Sequence, residues 1–149
     1  MNIYALICTR SAKLNHTTQR LCEFYIDCGI ETKLLVNQSS IFKGYKRGFS
    51  ACSPDKDDII ILCHDDIIIE QTPKEFISLL KNELTSNNTG FVGPAGTTEL
   101  GPTAVWWDKD IWKQGKHRGK VYHINSDGGM YPTDYGLPGS VVCLDGLFL

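Results

Sequence analysis

At 149 residues, with 42% apolar and 21% charged, the chain is long enough for one domain with a real core and has an ordinary globular balance. Fifteen basic against seventeen acidic residues give a net charge of −2 and a pI near 6.0. Nothing in that balance suggests a sequence-blind nucleic-acid binder, which would show a basic face or stripe, and no apolar run approaches the roughly 18 residues of a transmembrane segment.

Taken in chain order, Met1 to Thr9 is a mostly apolar run that reads as a buried strand and ends in the polar group Thr9-Arg10-Ser11. Asn15 or Thr17 can cap a helix running to about Cys28. Leu21, Phe24, Tyr25 and Cys28 share one face of it, and Gly29 stops it. Thr32 to Val36 predicts a second strand, ending in Asn37-Gln38-Ser39-Ser40. A shorter helix capped by Ser39 or Ser40 would hold Ile41, Phe42, Tyr45 and Phe49, with Gly44 and Gly48 counting against it. Ser53 to Asp57 is a turn. The run from Asp58 through Ile59, Ile60, Ile61, Leu62 and Cys63 then reads as a strand buried on both faces, broken by His64-Asp65-Asp66. Thr72, Pro73 and Glu75 form a capping-box helix start, with Phe76, Leu79, Leu80 and Leu84 as the buried face. Thr89 to Pro94 predicts a short fourth strand running into a glycine-rich turn.

Strand alternating with helix up to residue 94 argues for an α/β fold, a mostly parallel sheet with helices on both faces. From Ala95 to residue 140 the chain becomes rich in glycine and proline and holds all three tryptophans. Lys120 to Ile124 is the one strand expected there, and the ring content argues against disorder. The apolar run Val141 to Leu149 ends the chain without a polar closing turn. This points to a fragment of a longer domain, the other reading being a central strand that happens to come last.

Six cysteines form no CxxC pair, and Cys8, Cys63 and Cys143 lie in apolar runs as small hydrophobes. No basic-then-apolar leader precedes the first strand, so a reduced, cytoplasmic setting is expected. The basic clusters Lys43 to Arg47 and Lys113 to Lys120 read as solvated surface. His64, His117 and His123 match no zinc spacing, and no Gly-x-Ser-x-Gly elbow supports a hydrolase.

The chemistry concentrates at strand ends. In a parallel sheet Thr9-Arg10, Asn37-Gln38 and His64-Asp65-Asp66 fall on one edge, where open α/β sheets bind ligands. One or two carboxylates there suffice for Mn²⁺ or Mg²⁺ when a diphosphate completes the shell. Arg10 suits a phosphate, and amides and hydroxyls suit a base and ribose. The structural alternative is a set of ordinary loop anchors. Trp106 and Trp107 offer flat rings for a sugar, or a satellite core beneath the long loop.

The segments Ile3-Tyr4-Ala5-Leu6-Ile7-Cys8-Thr9-Arg10 and Leu62-Cys63-His64-Asp65-Asp66-Ile67 resemble the GT-A glycosyltransferases. The closer resemblance is to their streptomycin-biosynthesis-type branch, grouped with the glycosyltransferase-2-like proteins. Phe91-Val92-Gly93-Pro94-Ala95-Gly96 and the Leu144-Asp145-Gly146 strand resemble the same branch. The resemblance implies a GT-A fold and transfer of a sugar from a nucleotide-sugar donor to a saccharide or other hydroxyl-bearing acceptor, assisted by a divalent metal. It makes Asp66 the metal-binding carboxylate, with His64 in place of the usual first acid and Asp65 near ribose or phosphate. Thr9 and Arg10 face the nucleotide, and Asn37 or Gln38 lies near the base. Residues 1–94 would bind the nucleotide and 95–149, incomplete, would form the acceptor side with Trp106, Trp107 and Asp145. The family's general base lies downstream of the last residue here, which leaves Asp145 as a candidate catalytic group. The rival reading is a non-catalytic nucleotide- or sugar-binding module. A phosphatase-like domain lacks a suitable lysine at a neighbouring strand end.

Overall fold

The structure, a computed structural model, describes residues 1–85 and 89–145, which divide into two compact units, Met1–Phe91 and residues 92–145. Among the described residues no helix is long and apolar enough to cross a membrane.

The first unit is a three-stranded parallel sheet. Strands β1 (Ile3–Thr9), β2 (Glu31–Val36) and β3 (Ile59–His64) lie in the order β2-β1-β3, with Ala5 opposite Ile61 and Ile7 opposite both Leu34 and Cys63. One face carries Ala5, Ile7, Ile61 and Cys63. They pack against Leu21 and Tyr25 of α1 (His16–Asp27) and Phe76 and Leu80 of α3 (Pro73–Thr85) in one continuous core. Phe24 and Phe76 meet edge to face at 5.3 Å. The other face carries Leu6 and Cys8 and is covered by α2 (Ile41–Cys52). Helices thus cover both faces of a parallel α/β sheet, as the alternation of elements predicts.

Helix starts follow local chemistry. Asn15 caps α1 by accepting from Thr18 N at 2.9 Å, and Ser40 caps α2 by accepting from Lys43 N at 3.2 Å. At α3, Thr72 N donates to Glu75 Oε2 at 2.9 Å while Glu75 N donates to Thr72 Oγ1 at 3.4 Å, a reciprocal box.

The expected helix after Ser40 forms as α2 despite its glycines, and two other expectations need correction. The buried face of α2 is formed by Gly44 and Gly48, while Phe42 and Phe49 are 80% and 52% exposed. A Cβ on Gly48 would stand 3.0 Å from Leu35 Cδ1 and 3.1 Å from Leu6 Cδ1, so the missing side chains let the helix axis approach the sheet. In α3, Leu79 is 47% exposed, leaving Phe76 and Leu80 as the buried pair. Finally, residues 89–94 form no strand. Phe91 is 75% exposed, and Pro94 offers no N–H to a ladder.

The strand after that turn belongs to the second unit. Here β4 (Ala95–Thr97), β5 (His117–Ile124), β6 (Met130–Gly136) and β7 (Cys143–Leu144) make an antiparallel sheet in the order β6-β5-β4-β7, with a five-residue helix, α4 (Lys109–Lys113), between β4 and β5. The expected strand at Lys120–Ile124 is the outer part of β5, and β6 had no signal beyond its rings. A bulge at Gly119 bends β5. This residue has φ +96°, and a Cβ there would stand 2.0 Å from the Pro94 carbonyl oxygen, so only glycine fits. Of the expected last strand, residues 146–149 lie outside the described residues.

Candidate functional site

The order β2-β1-β3 makes β1 central, with the connection out of β1 leading to one side and β3 arriving on the other. In such sheets the crevice forms outside the carboxyl ends of the strands where the order reverses. Here that point lies between β1 and β3, where Cys8 stands opposite His64. Arg10, just past the end of β1, and Asp65-Asp66, just past the end of β3, therefore share an edge.

Two side chains from flanking helices set the end of β3. Thr18 Oγ1 of α1 donates to the Asp65 carbonyl at 3.0 Å, and Tyr45 OH of α2 donates to the Cys63 carbonyl at 3.0 Å. Each helix thus pins one side of the turn that bears the acids. Burial pushes the Tyr45 phenol up, and Cys8 and Cys63 beside it add to the rise, so it stays a donor across the physiological range. Beneath the turn, burial also raises the Cys63 thiol to about 12, and Tyr25 OH lies 3.5 Å from its sulfur. This thiol is a core group rather than a nucleophile. Neither Thr18 nor Tyr45 stands out in the sequence. One follows a capping Asn by three residues, the other lies within the basic stretch Lys43–Arg47, and only the folded chain shows what they hold.

The expected donor residues separate into anchors and free groups. Thr9 is buried, and its Oγ1 is tied to the turn it starts, donating to Ser11 O at 3.3 Å and accepting from Ser11 N at 3.4 Å. Gln38 is engaged too: its Nε2 donates to Val36 O at 2.7 Å, and its Cγ packs where a Cβ on Gly44 would fall, 2.9 Å away. Asn37 extends the β1–β2 ladder through its N–H to Thr9 O at 3.0 Å. It takes a left-handed conformation, φ 51°, that asparagine tolerates, and its side chain stays exposed. Arg10 and Asp66 are exposed, Asp65 half-buried, and none of these three side chains makes an ion pair among the described residues. His64 is half-buried and, by the alternation of β3, projects from the same face as Leu62 and Ile60, opposite to Cys63.

Among the described residues no group of three or more His, Cys, Asp or Glu side chains is arranged to hold a metal ion. His64, Asp65 and Asp66 are therefore not a preformed three-ligand centre. The donors suit only the lighter demand of a hard cation that takes one carboxylate from the protein and oxygens from a diphosphate and water. A cleft of about 380 Å³ lies at the opposite, amino end of the sheet, lined by Asn2, Tyr4, Glu31, Ile77 and Lys81 among others. It contains none of the expected donor residues.

In the second unit the expected acceptor-side residues part company. Trp106 is buried in a ring cluster with Tyr135 at 5.3 Å and His117 at 5.8 Å, to which Trp112 adds contacts of 4.8 Å to Tyr135 and 5.5 Å to His117. Trp106 is thus the satellite core of this unit, while Trp107 is 61% exposed. His117 Nε2 contacts the Trp106 carbonyl oxygen, and its Nδ1 is buried without a partner among the described residues. Burial raises the Tyr135 phenol, and the Asp145 carboxylate adds to the rise. Asp145 N also donates to Ala95 O at 2.8 Å, extending the β4–β7 pairing. Tyr135 and His117 each meet Trp106, Trp112 and one another, yet nothing local in the sequence distinguishes this tyrosine from the others.

In comparisons with known proteins the chain matches no family model, no curated protein and no solved structure.

Proposed function

We propose that the chain is the donor-binding part of a GT-A-type, cytoplasmic glycosyltransferase that holds the diphosphate of a nucleotide-sugar at the carboxyl edge of the parallel sheet. One observation carries this reading: the reversal of strand order places Arg10 and the Asp65-Asp66 pair on the same edge, beside the β1–β3 switch point. The resemblance of the β1 and β3 segments to the streptomycin-biosynthesis-type branch supports it. Arg10 meets a phosphate, Asn37 reaches the base or ribose, and Asp66 is the protein's ligand to Mn²⁺ or Mg²⁺. Such a cation supplies positive charge against the departing diphosphate. Thr9 and Gln38 act as anchors that hold the turns in place. Asp145 is the candidate for a catalytic role toward a hydroxyl-bearing acceptor, with Trp107 as the ring free to meet it.

Titration calorimetry with UDP, GDP and dTDP, with and without Mn²⁺, tests the reading. At least one nucleotide is expected to bind more tightly with Mn²⁺, and Asp66→Ala is expected to remove that increment, a loss of about ten-fold or more in affinity. Failure of all three nucleotides to bind, or an unchanged increment in the variant, refutes it. A second reading, a non-catalytic nucleotide-binding module, draws on the absence of a preformed metal group among the described residues. It predicts nucleotide binding with neither sugar transfer nor donor hydrolysis, so a turnover assay separates the two.

A further inference from the structure

Helix α2 meets the sheet through glycine, and so its outer face is unusually rich. Phe42 and Phe49, 80% and 52% exposed, are seven residues apart and therefore share one stripe along the helix. Lys43, Lys46 and Arg47 are also exposed, all to one side of that stripe: at about 100° per residue Lys46 stands roughly 50° from it, Lys43 roughly 110° and Arg47 roughly 150°. None of these cations makes an ion pair among the described residues, and no acid occurs anywhere in Ile41–Cys52. The next acids in the chain, Asp55 and Asp57, come only after the helix has ended at its Ser53 cap. Two solvent-facing rings, with three cations unpaired among the described residues fanning out on one side of them, form a surface outside the core.

That combination matches the boundary of a bilayer containing anionic lipid. Rings enter the acyl margin while lysine and arginine meet headgroup phosphates, with the helix lying flat in the interface plane. The shape agrees. A single convex helix face suits a planar, deformable surface, whereas a protein partner would have to supply a groove. A bare polyanion would engage the cations and leave the rings without a role. We propose that α2 docks the first unit onto anionic membrane surfaces, with Phe42 and Phe49 inserted and Lys43, Lys46 and Arg47 at the headgroups.

Flotation of the 149-residue chain with phosphatidylcholine vesicles, with or without about 30% phosphatidylserine, tests this. The chain is expected to float with the anionic vesicles and stay behind with the neutral ones. Replacing Lys43, Lys46 and Arg47 together by Gln is expected to lower partitioning by about 100-fold, roughly five-fold per cation. Changing Phe42→Ser and Phe49→Ser together leaves the charge intact and is expected to lower it by about ten-fold or more. All five side chains are exposed, so both variants should keep the parent thermal midpoint, read from far-UV circular dichroism. Equal binding to both vesicle types, no binding, or a double Phe variant that floats like the parent overturns the proposal. So does retention on single-stranded DNA that is lost with the cations but indifferent to the rings, because that pattern assigns the face to nucleic acid.

Discussion

Asp58 accepts hydrogen bonds from the backbone N–H of Asn2 and, at 3.0 Å, from that of Asp55, so one carboxylate ties the start of β1 to the turn before β3. The Asn2 N–H holds its pKa below the usual carboxylate range, with further lowering by Asp55, the Asn2 side chain and the chain's amino terminus. Because the folded value lies below the unfolded one, this contribution is present above the unfolded pKa of about 3.9 and is lost as pH falls through the folded value. Asp58→Asn removes that difference. Its thermal midpoint is expected to fall less steeply than the parent's below about pH 4, and an acid limb identical to the parent's would contradict the assignment. The limb should not flatten entirely, since Glu75 is shifted the same way by Thr72. The Thr72–Glu75 pair was legible in the sequence because a capping box is a contact across three residues. The Asn2–Asp58 contact was not, because it spans 56 positions and exists only once β1 and β3 are paired.

At the scale of elements, α2 shows most clearly how a local rule can point the wrong way. Glycine in a helix interior costs about 1 kcal/mol relative to alanine, which is why Gly44 and Gly48 argue against a helix there. The cost is offset by the close approach they permit to Leu6, Cys8 and Leu35. Gly48→Ala therefore sets two effects against each other. It gains helix propensity, but its new methyl must displace Leu35 and Leu6 in a packed layer, at about 1–3 kcal/mol. Packing should win, with a net loss of about 1 kcal/mol and a midpoint lower by about 3 °C. A midpoint above the parent's would show that the layer has slack. The sequence reading of a helix capped by Ser39 or Ser40, of which Ser40 is the cap, again rests on neighbours in the chain.

For the whole molecule, the described residues divide into two compact units between Phe91 and Val92. Residues 1–91 contain all three parallel strands, α1 to α3 and the continuous core from Ala5 to Leu80. A core complete within that segment predicts independent folding. Expressed alone, residues 1–91 are expected to unfold in one cooperative denaturant transition, and a broad, non-cooperative melt would show that this unit depends on residues 92–149 for its stability. Since Arg10, Asn37, Asp65 and Asp66 all lie in this segment, it should by itself keep the parent's nucleotide affinity to within about three-fold if the proposed donor site is right.

The sequence by itself determined the α/β alternation through α3, the Thr72–Glu75 capping box with one of two candidate caps each for α1 and α2, and the presence of polar groups at the strand ends, because each depends on contacts or periodicities within one segment. The tertiary structure alone decided that β1 is central and the reversal falls between β1 and β3. It also decided that Thr9 and Gln38 are anchors while the Arg10, Asn37 and Asp66 side chains are exposed, and that Trp106 is core. Those outcomes turn on which strand lies beside which and how closely a helix approaches, and strand order and packing distance are set by residues far apart in the chain.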